Sequence, residues 1–163
     1  MSVVLYRLAG VGLACALVAP ASAQLLARKD LSAATALAIA ETAIATCKTN
    51  GYQVSATIVG RNGEVIVQIR GDGTGPHTME NSFKKAFTSR TFRIPSGEME
   101  DRLKQNPQMG AQYLTGFTTA RGALPVKIGD EVIGAVGVSG DTSDNDELCA
   151  LAGIEAAKLR AQR

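Results

Sequence analysis

Tryptophan is absent from this sequence, and aromatic residues make up only 4% of it. Its core must therefore be built from valine, isoleucine, leucine and alanine. Histidine occurs once, as His77. A single histidine in a loop offers no base and orienting partner, so no Ser/His/Asp set can be assembled and an enzymatic role is not the expectation. Neither sign of charge is in large excess: the formal net charge is +2. That balance argues against nucleic acid as the main partner. No apolar run is long enough to cross a bilayer as a helix, so stable membrane insertion is not expected. Internal repeats and low-complexity segments are also missing.

The longest apolar run, Leu8 to Ala19, is near the start of the chain. Arg7 precedes it, and Ala21-Ser22-Ala23 follows as a small-residue cleavage signal before Gln24. This is the pattern of a secretory signal peptide over residues 1–23, and it predicts a periplasmic or secreted protein. Residues 24–163 then form one domain, large enough for a real core. The leader carries one basic residue and no acidic one, which leaves a charge of +1 on the remainder. Of three cysteines, Cys15 departs with the leader. Cys47 and Cys149 remain, in a compartment that permits disulfides. They can pair only if the first and last helices pack side by side and antiparallel, with Cα atoms within about 7 Å. Buried free thiols are the other reading.

The organising stretch runs from Leu124 to Ser139. Gly129-Asp130 joins two β-rich runs, a tight hairpin signal. In the second run Val132, Gly134, Val136 and Val138 alternate with Ile133, Ala135, Gly137 and Ser139. Both faces are apolar or small, which predicts a central strand covered on two sides. A helix capped by Asp30 or Ser32 is expected to run to about Thr49, with Leu37, Ala40, Ile44 and Cys47 inside. Tyr52 to Val59 and Val65 to Arg70 read as strands around an Asn62-Gly63 turn. A Gly-rich loop from Gly71 to His77 leads into a helix capped by Thr78 and ending near Phe92. Met79, Phe83 and Phe87 would form its buried side. Ser96 begins a short helix that Pro107 ends, and Phe117 to Ala120 reads as a strand. A last helix from about Asp144 to Arg160 places Cys149, Ala152, Ala156 and Leu159 inside. Two hairpins bracketed by helices predict an α+β domain, an antiparallel sheet with helices packed on it.

Three stretches carry a resemblance. They are Arg70-Gly71-Asp72-Gly73 with the Lys84-Lys85-Ala86 helix, Gly122-Ala123-Leu124-Pro125-Val126, and Gly134-Ala135-Val136-Gly137-Val138-Ser139-Gly140 with its Asp-rich turn. In these the chain resembles the GlcG/HbpS family of haem-binding proteins, a domain that also forms the C-terminal part of PduO-type proteins. The resemblance implies a profilin-like antiparallel sheet flanked by helices, haem as a non-covalent cofactor, and homo-oligomers. It implies a role in haem storage, scavenging or sensing. The absence of Cys-x-x-Cys-His excludes covalent c-type attachment.

The resemblance carries no iron ligand with it, so the ligand is argued from residues. His77 follows a flexible loop and precedes a helix, and a neutral imidazole is a common haem ligand. Arg70, Lys84, Lys85, Arg90 and Arg93 are the candidates to hold propionates. Phe83 and Phe87, with Met79, would be an apolar wall. The plain alternatives are an exposed loop histidine, a solvated basic face and ordinary core aromatics. Asp72 to His77 with Lys84 and Lys85 could instead cradle a small carboxylate, as an enzyme or accessory factor would require. A structural oligomer subunit is the third reading. The acidic residues Asp141, Asp144, Asp146 and Glu147 do not match a calcium loop and read as a helix start.

Overall fold

The computed structural model describes residues 26–161. The expected leader, residues 1–23, lies outside them. In chain order the elements are α1 (Ala33–Thr49), β1 (Ser55–Val59), β2 (Val65–Ile69), α2 (Thr78–Phe92), α3 (Ser96–Gln105), a 3-10 turn (Gly110–Tyr113), β3 (Ala123–Ile128), β4 (Glu131–Ser139) and α4 (Ser143–Ala161). The strands form one antiparallel sheet in the order β2-β1-β4-β3. The expected α+β architecture is therefore the observed one.

β4 lies between β1 and β3 and is buried from Val132 to Ser139. The sheet is covered on one face by α1 and α4 and on the other by α2. The β3–β4 connection is the two-residue Gly129-Asp130 turn, with Gly129 at φ 60°. β4 departs from strict alternation at one point. Val126 faces Gly134 while Lys127 faces Val132, so Ile133 is an extra residue, a β-bulge. The bulge turns Ile133 into the α1/α4 core, where it joins Val136 and Val138 instead of lying with Ala135 and Gly137.

Ser32, rather than Asp30, caps α1: its hydroxyl oxygen accepts from the Thr35 amide. The inner stripe of α1 is Ala36, Ile39, Ala40, Ala43 and Cys47, while Leu37 is 43% exposed. The helix is rotated from the expected stripe because its alanines, the smaller side chains, let α4 approach closely. Gly153 of α4 completes that approach, since a Cβ there would lie 2.5 Å from the Ile39 carbonyl oxygen. The α4 stripe accordingly runs through Cys149, Ala150, Gly153 and Ile154, with Ala152 and Ala156 only half-buried. The two helices are antiparallel neighbours, and Cys47 and Cys149 form a disulfide with Cα atoms 5.6 Å apart.

Phe117 to Ala120 is not a strand. That segment crosses beside α2, where the Thr118 amide donates to the Thr88 hydroxyl instead of to a sheet neighbour. α3 forms as expected, with i,i+4 pairs Glu98–Arg102 and Glu100–Lys104 on its surface.

Candidate functional site

α2 carries the residues singled out from sequence, and the structure reverses its expected orientation. The buried stripe is Thr78, Ser82, Lys85, Ala86 and Ser89, with Thr88 beside it. Met79, Phe83 and Phe87 are only half-buried, on an outer flank. The reason lies in the sheet. β1 turns Ser55 and Thr57 towards α2, and these hydroxyls need partners once buried. Ser55 hydrogen-bonds Thr78 at 2.8 Å, and Gln68 donates to Thr57, which in turn bonds Ser82 at 2.7 Å. Gly137 makes the close approach possible: a Cβ there would lie 2.2 Å from the Ser82 carbonyl oxygen. A phenylalanine stripe would neither fit this gap nor satisfy these hydroxyls.

Lys85 sits at the end of this polar seam. Its ammonium is 2% exposed and pairs with Asp146, 1% exposed, at 2.7 Å. It also donates to the Val138 carbonyl at 3.0 Å. The other Asp146 oxygen accepts from the Asp141 amide at 3.1 Å. Burial pushes the Asp146 carboxyl up from its ordinary value, against the attraction of Lys85. Lys85 therefore does not reach a propionate at the surface, because an internal carboxylate holds it. This corrects the sequence expectation. It also removes one of the two cations from the small-carboxylate reading of the Gly71–His77 loop.

His77 stands just before α2, exposed, with its ring over Gly75: a Cβ at Gly75 would lie 2.9 Å from Cε1. His77, Glu80, Asn81 and Lys84 line one shallow depression of about 270 Å³. Lys84 pairs with Glu80, which holds that carboxyl below its ordinary value. Thr78 does not cap the helix; its hydroxyl donates to the Gly75 carbonyl and bonds Ser55. The structure thus brings His77 and Lys84 together.

Phe83 packs beside Val59, Ala86 and Ala135. It begins a continuous aromatic run: Phe83–Phe87 at 5.6 Å, Phe87–Phe117 at 5.5 Å and Phe117–Phe92 at 5.3 Å between ring centroids. Arg90 lies on the same flank, near the other end of the helix. Twelve residues separate it from Thr78, about 18 Å of helix axis. Arg90 and His77 are therefore not placed to grip the same small group.

Arg70 lies elsewhere again. It follows β2 and donates to the Thr74 carbonyl at 2.8 Å. It shares a cleft of about 460 Å³ with Ile44, Lys48, Tyr52, Val54 and Ile69. The expected set is thus split into the His77–Lys84 depression, the Phe83–Arg90 flank and the Arg70 cleft, while Lys85 is internal.

Sequence reasoning missed Asp146 and Phe117 as partners of α2, and Phe92 as part of its aromatic flank. One signal was present. Ser82, Lys85, Ala86 and Ser89 follow the i, i+3, i+4, i+7 spacing of a buried stripe as well as the phenylalanines do. Their polarity hid it.

A model of the family described as "Haem degrading protein HbpS-like" matches residues 31–155. The crystal structure of HbpS superposes with a TM-score of 0.78 at 32% identity, covering 85% of this chain and 98% of that one. A crystal structure of a PduOC–haem complex superposes with a TM-score of 0.73 at 21% identity, covering 78% of this chain and 95% of that one, a likeness of fold. An uncharacterised 15.0 kDa protein from the dhaT–dhaS intergenic region of Citrobacter freundii is 31% identical over 97 residues, 58% of this chain and 68% of that protein.

Proposed function

The chain belongs to the HbpS-like family, and from that premise we propose that it binds haem non-covalently, with His77 on the iron. The family membership carries the reading. Two features of the site and one comparison agree with it in kind. An imidazole is exposed beside an ammonium, His77 next to Lys84. Half-buried phenyl rings, Phe83 and Phe87, lie on the neighbouring flank of the same helix. The PduOC relative of the same fold is one whose complex with haem has been crystallised. In this reading His77 ligates, Lys84 takes a propionate and the phenyl rings cover apolar porphyrin. Bound haem would supply an iron centre; the protein's part is to hold and shield it.

The Cys47–Cys149 disulfide supports export, because such bonds persist in oxidising compartments. We accordingly place the protein in the periplasm or outside the cell, in haem storage, scavenging or sensing, as a homo-oligomer. Mass spectrometry of exported protein should begin at Gln24; retention of Met1 would refute the placement.

Hemin titration tests the main reading. Wild type should show a saturable Soret shift. His77→Ala should bind more weakly with a changed spectrum, whereas Lys84→Ala should bind somewhat more weakly with the spectrum intact. The absence of any saturable shift in wild type would sink haem binding altogether. A second reading rests on the 460 Å³ cleft, within the range of ligand pockets. It places Tyr52, a residue type that ligates haem, beside Lys48 and Arg70. Wild-type hemin affinity and spectrum in His77→Ala, with both lost in Tyr52→Phe, would favour that cleft.

A further inference from the structure

We propose that the C-terminal half of α2 forms a second binding site, for a planar aromatic anion, with Arg90 taking its acidic group and Phe87 and Phe117 forming its wall. Arg90 is half-buried, and its Nε is covered yet has no hydrogen-bond partner among the described residues. It joins none of their ion pairs. A covered guanidinium nitrogen without an acceptor costs stability unless something else supplies one. Its neighbours do not: Arg93 and Arg61 repel it, and only Glu64 opposes them. Arg61 is already held by Asp30 and Glu131. Arg93 closes α2 in the left-handed conformation, φ 61°, where glycine is the usual residue. The helix thus accepts backbone strain and still places a second guanidinium near the first.

The wall beside these arginines is unusual for this chain. All four of its phenylalanines lie in the one run, and none is fully buried. Gly63 and Gly116 pack against Phe87 and fix its ring in place. A Cβ would lie 2.6 Å from its Cε2 at Gly63 and 3.6 Å from its ring at Gly116. Flat rings beside a guanidinium fork match an aromatic body bearing a carboxylate, sulfonate or phosphate. Arg90 stands apart from His77 by most of the helix length; the site shares only Phe87 with the porphyrin cover proposed above and does not rest on the haem reading.

The test is a titration of ¹⁵N-labelled full chain with 2-naphthoate, alongside uncharged 2-naphthamide. Naphthoate should shift amides of residues 60–64, 87–93 and 116–118 with saturation; naphthamide should bind at least about tenfold more weakly. Arg90→Gln should weaken naphthoate about tenfold, the loss of one bidentate ion pair, and Arg90→Lys should not restore it, since an ammonium has no fork. His77→Ala should leave it unchanged. Equal binding of naphthamide, shifts confined to other residues, or wild-type affinity in folded Arg90→Gln would each overturn the proposal. Should Arg90→Gln fail to fold, exposed Arg93→Gln decides: unchanged affinity overturns, a severalfold loss supports. Hemin then tells the sources apart. Displacement of naphthoate by hemin makes a porphyrin carboxylate the occupant, and a Soret shift without displacement leaves a smaller anion. The Soret band reads the haem proposal, and the naphthoate shifts read this one.

Discussion

Replacing Lys85 by methionine is the sharpest test of how this fold is held together. The pair with Asp146 is buried on both sides, at 2% and 1% exposure. Removing one partner of a buried pair leaves an uncompensated charge, a loss of about 3–5 kcal/mol. Against a total stability of roughly 5–15 kcal/mol, the domain should still fold but melt about 10–20 °C lower. The loss should also depend on pH. Asp146 is already pushed up from its ordinary value by burial, and without Lys85 it rises further. A carboxyl whose folded pKa exceeds its unfolded one favours the folded state at low pH and loses that advantage as pH rises. In Lys85→Met the deficit should therefore shrink on acidification from pH 7 towards pH 4, by up to about 1.4 kcal/mol per pH unit. Denaturant unfolding with the disulfide kept oxidised, at pH 7 and pH 5, measures both. A second variant, Lys85→Met with Asp146→Leu, removes both charges and should regain part of the loss. It will not regain all, because the Val138 carbonyl and the Asp141 amide lose their partners. A deficit under about 1 kcal/mol at pH 7, or one equal at both pH values, would refute the reasoning.

The Cys47–Cys149 bond closes a separation of 102 residues, so its reduction or a Cys47→Ala/Cys149→Ala variant should lose about 4–5 kcal/mol; identical melting with and without reductant would contradict this. Gly137→Ala should lower stability by at least about 1–3 kcal/mol, because the new methyl would meet the Ser82 carbonyl and the Ala86 amide 2.2 and 2.6 Å away. A neutral melt in that variant would show that α2 rides farther from the sheet. Glu147 has one carboxylate oxygen buried without a partner, and burial pushes its pKa up despite Arg121, with Asp144 adding to the rise and the Gly122 amide and Lys85 opposing it. Glu147→Gln should consequently be more stable than wild type at pH 7, with the advantage fading as pH falls through the raised pKa towards the ordinary glutamate range and absent below it. A pH-independent difference would rule that account out.

Local pattern in the sequence determined the elements. Ser32, Asn62-Gly63, Gly129-Asp130 and the run through Val138 are each legible within a few residues, because caps, turns and alternation are short-range physics. That is why the order of elements, the antiparallel sheet and the central place of β4 follow from sequence. The candidate residues were legible only as types. Tertiary structure decided which side of each helix faces inward and which charges meet. Leu37 is outward because alanines and Gly153 set the α1–α4 distance. The phenylalanines of α2 are outward because Ser55 and Thr57 demand hydroxyl partners beneath it. Lys85 finds Asp146 across 61 residues of chain, a pairing no window of sequence contains. The two helices bearing Cys47 and Cys149 meet for the same reason. Local spacing specifies a helix but not its rotation, which is set by what the rest of the chain places against it.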